Sequence, residues 1–143
     1  MKKIAIFLLI IIGIISTISY LYLNGINNYK NAQKENIKFE IYKDQEITGA
    51  EVTTLINKAI NSNEQNEIEK DNKGRYIDNE MNSINIDIKF IDDDVTYNIE
   101  KIYNKGMDVF LTYYRDIKFK CMEVQYHEKT NKIKYMLFEQ TTQ

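Results

Sequence analysis

At 143 residues the chain holds one domain's worth of sequence. Its 19 basic and 21 acidic residues give a net charge of −2, with no Lys/Arg cluster dense enough for phosphate contacts, so no nucleic-acid partner is expected. A single Cys excludes an intrachain disulfide, and Pro and Trp are absent.

Residues 4–23 (IAIFLLIIIGIISTISYLYL) carry no charge. As a helix they span about 30 Å, the thickness of a hydrocarbon core. Lys2 and Lys3 precede them, Tyr20 and Tyr22 stand near the far end where an aromatic belt belongs, and the next charge is Lys30. The stretch reads as an uncleaved transmembrane anchor over residues 1–23. A cleaved signal peptide is the competing reading, with Thr17-Ile18-Ser19 as a poor small-x-small site. The two lysines hold the N-terminus in the cytoplasm by the positive-inside rule. Single-pass localisation in the cell membrane follows, with the C-terminal part extracytoplasmic.

Residues 24–38 are polar and read as a juxtamembrane helical extension or linker, leaving 39–143 as an extracytoplasmic domain. Lys38–Tyr42 alternates, which suggests a short strand with Phe39 and Ile41 on one face. Thr48 followed by Glu51 matches a capping box. Val52, Leu55, Ile56, Ala59 and Ile60 then make one apolar stripe, predicting a helix over 49–61. A helix start preceded by a small residue can bind an anion, but Glu51 already answers the helix dipole there.

The polar stretch 62–83 contains Asn72-Lys73-Gly74, a turn with Gly74 in the left-handed position. Placing Glu69, Asp71, Gly74 and Glu80 in a calcium loop puts Lys73 where an oxygen ligand is needed, so a plain turn is the better reading. Ser83–Ile91 is the clearest strand, with Ile84, Ile86, Ile88 and Phe90 on one face. Asp92, Asp93 and Asp94 follow. Three adjacent carboxylates are the weak metal candidates of this chain, against the plainer reading of a solvated turn. Residues 95–101 fit a strand paired with 84–91, and 104–115 a helix with Met107, Phe110, Leu111 and Tyr114 facing the sheet. One helix over 96–115 is the alternative. Residues 117–126 and 132–138 form a hairpin, with a bulge near Cys121–Met122 where the apolar face switches. On its second strand Ile133, Tyr135 and Leu137 make the apolar face.

The expected fold is α+β: a transmembrane helix, then an antiparallel sheet of about four strands with two packed helices. Catalytic equipment is sparse. Cys121 and His127 lie six residues apart, about 20 Å along a strand, too far to form a Cys–His pair. No nucleophile elbow, zinc motif or phosphate loop occurs, so no enzyme, catalytic residue or cofactor is expected. Most of the eleven tyrosines suit core packing, with Tyr113 the best candidate for exposure.

A short basic N-terminus, an apolar helix running into a polar extension and a small α+β domain together resemble pilin-like and pseudopilin proteins. In those proteins the helix first anchors the subunit and then packs in a filament core. The prepilin cleavage motif is absent: Gly13 is followed by Ile14, and the first acid is Glu35. The resemblance implies a structural or protein-interaction role, in its specific form accessory to a bacterial pilus or secretion assembly, with a protein partner in or at the membrane. The alternative is an anchored small-molecule or ion-binding sensor domain.

Overall fold

The computed structural model describes residues 2–91 and 95–142. One helix, α1, runs from Lys2 to Glu40, 39 residues or about 58 Å long. Nothing in its first turns interrupts it: the apolar run has no Pro and only Gly13 and Gly25 among strong breakers. The expected strand at 38–42 is replaced by the end of this helix and a turn, closed by Tyr42 and Lys43 N–H groups donating to the Phe39 and Glu40 carbonyls. The reason is the face that is buried. Ala32, Asn36 and Phe39 recur at helical spacing and dock on the domain, so tertiary contact overrides the local alternation. Phe39 is buried while Ile41 is 52% exposed, so the two do not share a face.

Strand β1 (Glu46–Thr48) leads directly into α2 (Gly49–Gln65). The capping box is formed. The Thr48 N–H donates to Glu51 Oε2 at 2.7 Å, and the Glu51 N–H donates to Thr48 Oγ1 at 3.3 Å. The predicted stripe is the buried one, with Val52, Leu55, Ile56 and Ala59 fully enclosed. The helix runs four residues past its predicted end because Asn63 is needed inside. Its amide donates to the Ile84 carbonyl and accepts from the Ile84 N–H, both at 2.8 Å.

The remaining elements are β2 (Asn85–Lys89), β3 (Thr96–Asn98), α3 (Ile99–Lys105), α4 (Met107–Tyr114), β4 (Lys118–Tyr126) and β5 (Ile133–Gln140). The sheet has five strands in the order β1-β4-β5-β2-β3, and β2 lies parallel to β5. This corrects the expected four-stranded antiparallel sheet. The hairpin β4–β5 offers a free edge on β5, and the Ile86 and Ile88 face of β2 matches Met136 and Phe138 in register across it. The passage from β2 to β5 runs through β3, two helices and β4, long enough to bring the chain back parallel. Small β1, which the sequence does not announce, pairs with Lys118–Lys120.

Between 95 and 115 both local patterns are used in turn. Thr96–Asn98 pairs with Asp87–Lys89, shorter than the expected strand 95–101. Asn98 then caps α3, accepting from the Lys101 N–H at 3.1 Å. Gly106, at φ 101° and ψ 127°, separates α3 from α4, so three helices rather than two accompany the sheet. In the hairpin the bulge between Cys121 and Glu123 is present. A second irregularity near Tyr126 makes Ile133, Met136 and Phe138 the inward residues of β5, with Tyr135 and Leu137 only partly buried, which corrects the expected face. Gly74 takes a positive φ of 76° in the turn beside the Lys70–Tyr76 bridge, as its sequence implies.

Candidate functional site

The candidate site lies where β2 and β3 end and α3 meets α4. Phe90, just beyond β2, turns its ring into the core. It sits 5.4 Å from the Tyr97 ring, 4.7 Å from Tyr114 and 6.1 Å from Phe119, in edge-on and tilted geometries. Phe110 and Tyr114, one turn apart on α4, stack at 5.1 Å. Around the break at Gly106 lies a cavity of about 240 Å³ among Phe90, Tyr97, Ile102, Phe110, Tyr113 and Tyr114. A positive φ is what allows the break, and glycine adopts it without Cβ strain.

The cleft has a cationic rim. Lys101 Nζ lies 3.7 Å from the Tyr97 ring centroid and Lys105 Nζ lies 5.1 Å from it. Tyr113, 72% exposed as the sequence suggests, and Val109 stand at the mouth. On the other side of α3 the same two lysines border an open polar cleft with Lys73, Arg75, Asp87 and Glu100. The acids there are committed. Glu100 is buried and accepts from the Tyr76 N–H at 2.9 Å. Asp87 accepts from the Tyr135 hydroxyl at 3.1 Å, and burial pushes its carboxyl above the usual range against the effect of that bond. Arg75 pairs with Asp71 at 2.7 Å.

The other sequence candidates are not drawn here. Asp92, Asp93 and Asp94 lie outside the described residues. Among the described residues no three His, Cys, Asp or Glu side chains gather in a way that could hold a metal ion. Asp71 spends its carboxylate on Arg75 and on the N–H groups of Lys73 and Arg75, the work of a turn rather than a calcium loop. The start of α2 offers no anion site. Besides the capping box, the Gly49 and Ala50 N–H groups donate to the Ile117 and Arg115 carbonyls. His127 is buried at the far end of β4, its Nε2 2.7 Å from the Ser83 carbonyl. A carbonyl only accepts, so Nε2 carries the proton and the ring acts as a structural clamp. Cys121 is half-buried, and burial pushes its thiol up. The fold therefore brings His127 and Cys121 into no common site.

Sequence reasoning missed the cleft. Its only local signal is Gly106, a single breaker inside an otherwise continuous apolar stripe. The lysines above Tyr97 are one helical turn apart, an ordinary surface pattern until the sheet beneath them is known.

A second structural feature concerns α1. Among the described residues it is the one helix long and apolar enough to cross a membrane, and no part of its apolar span is buried. Its last turns are fastened to the domain. Asn36 donates to the Asn131 carbonyl at 2.7 Å and accepts from the Ile133 N–H at 2.8 Å, in effect extending the hairpin's ladder. Tyr126 donates to Glu40 Oε1 at 3.2 Å.

Fold and site together define an α+β domain with a mixed sheet, carried on a long apolar helix and bearing an aromatic cleft with a lysine rim. No family model, curated protein or solved structure matches the chain.

Proposed function

We propose that the protein is a single-pass, membrane-anchored extracytoplasmic protein with a structural or protein-interaction role, accessory to a bacterial pilus or secretion assembly. The observation that carries this reading is the continuity of α1. Its bare apolar span runs without a hinge into turns locked to the domain by Asn36, Phe39 and Glu40. Such a joint transmits position, since a rigid helix holds the domain at a set height and orientation above the bilayer. Eight residues lie between Leu23 and Ala32, the first buried residue of α1, so the two stand about 14 Å apart along the helix. The same plan underlies the resemblance to pilin-like proteins, and the missing prepilin motif points to assembly without that processing step.

The test is crosslinking in intact membranes, followed by fractionation and intact mass. We expect an unprocessed chain in the membrane fraction, its domain digested by protease added from outside, crosslinked in fixed ratio to a membrane protein. A clean monomer would sink the assembly role, and a mass lacking residues 1–19 would sink the anchor.

The second reading is an anchored ion-binding domain, and it rests on the three adjacent carboxylates of Asp92, Asp93 and Asp94 in the sequence. A thermal-shift screen of the full chain in detergent, with divalent cations and small anions at millimolar concentration, tests it. An ion bound by Asp92–Asp94 would raise the melting temperature, with the gain lost in an Asp93→Asn variant. A flat profile for every ligand would exclude ion sensing.

A further inference from the structure

The cleft between α3 and α4 has a place, a shape and a charge. Its place follows from the register. The contacts of α1 fall on Asn131 and Ile133, where β5 begins, while Phe90 follows the end of β2, which lies beside Lys89–Glu139 at the far end of β5. From Ile133 to Gln140 the strand runs about 23 Å. The cleft thus opens at the end of the domain opposite the apolar helix.

Its shape suits one side chain. A volume of about 240 Å³ equals about eight water molecules and falls below the usual range for a drug-sized ligand. The walls are aromatic, and Tyr103, Val109 and Tyr113 lie exposed on α3 and α4 at 45%, 52% and 72%. A pocket for a single anchor, with the exposed Tyr113 and Val109 at its mouth, is the anatomy of an interface hot spot rather than of a metabolite site.

Among the described residues its lining carries two lysines and no acid, in a chain whose net charge is negative. Among the described residues no carboxylate pairs with Lys73, Lys101 or Lys105, and the neighbouring Glu100 is turned inward to Tyr76. The two lysines above Tyr97 stand between the apolar cavity and the polar cleft, so an occupant of the cavity has cations on its flank.

We propose that this end of the domain docks an acidic segment of a partner protein through one aromatic or large aliphatic anchor residue. The anchor enters between Phe90, Tyr97, Phe110 and Tyr114. Flanking carboxylates lie against Lys101 and Lys105 and, across α3, Lys73. The inference deepens the interaction reading above by naming the partner's chemistry and the surface that receives it.

The test uses the full chain in phosphatidylcholine nanodiscs and fluorescently labelled peptides, read by anisotropy. The probe is acetyl-Glu-Glu-Phe-Glu-Glu-amide, compared with the same peptide carrying Ala for Phe and with acetyl-Lys-Lys-Phe-Lys-Lys-amide. The acidic Phe peptide should bind, weaken as salt is raised, and exceed the other two by about tenfold or more. The double variant Lys101→Glu/Lys105→Glu, both exposed positions, should lose the acidic peptide and gain the basic one. That gain shows the variant is folded. Equal binding of the Phe and Ala peptides means that a polyanion is held by charge alone, and overturns the proposal. So does the absence of binding, or an unchanged preference in the double variant. Selective peptide binding alongside a crosslinking monomer would remove the assembly role and leave the cleft's specificity standing.

Discussion

Asn63 and Val52 show what single side chains carry in this domain. Asn63 is fully buried and satisfies both backbone groups of Ile84. Asn63→Leu strands a donor and an acceptor, and the domain should lose about 2–4 kcal/mol in urea denaturation. Val52→Asp places a charge at a fully enclosed position, so we expect the cooperative transition to vanish, whereas Thr48→Ala should cost only about 1 kcal/mol. A folded Val52→Asp domain would refute the placement of α2 in the core. Asp87 gives a pH signature. Its folded pKa is raised, so its contribution is full below the unfolded pKa near 3.8 and falls as pH rises through the higher folded value. Asp87→Asn should therefore stabilise the domain at neutral pH relative to wild type, with the difference closing near pH 3. Glu51 works in the opposite sense. Its carboxyl is held low by the Thr48 N–H and hydroxyl, so its support is present at neutral pH and fades as pH falls below the ordinary glutamate value of 4.5.

Two glycines decide how elements meet. A Cβ on Gly49 would lie 1.8 Å from the Tyr114 carbonyl oxygen, because the start of α2 rests on the backbone at the end of α4. Gly49→Ala should cost about 3 kcal/mol, seen as a lowered urea midpoint. Gly106 is permissive for another reason. A Cβ there would meet only Val109 Cγ2 at 3.7 Å, an ordinary contact, but its φ of 101° strains any side-chain-bearing residue, and Gly106→Ala should cost about 1–3 kcal/mol. The first glycine was readable only as part of a cap, since the segment it touches is more than sixty residues away. The second was visible as a breaker, and its positive φ explains why the stripe over 96–115 forms two helices. Elements with strong periodicity were legible: the α2 stripe, the β2 alternation and the β4–β5 hairpin with its bulge. The mixed sheet was not, because parallel pairing of β2 with β5 depends on matching faces that local sequence cannot compare.

The whole molecule is organised around α1. Its apolar span contributes nothing to the core, while Phe39 and Asn36 belong to it. A chain lacking residues 1–23 should keep its urea midpoint, whereas Phe39→Ala should lower stability by about 3–5 kcal/mol through the cavity it leaves. An equal loss in both would mean that the apolar span packs on the domain.

The sequence by itself determined the apolar helix, the capped helix α2 and the alternating strands, because each rests on spacing within one window of residues. It also restricted the chemistry, since one His and one Cys are all the chain has. Tertiary structure decided the rest. It extended α1 through a strand-like stretch by burying Phe39, set β2 parallel to β5 by matching Ile86 and Ile88 to Met136 and Phe138, and opened an aromatic cleft at Gly106. Each of those outcomes depends on a partner surface distant in sequence, and the free energy of burying two faces against each other outweighs the weaker local preferences of either.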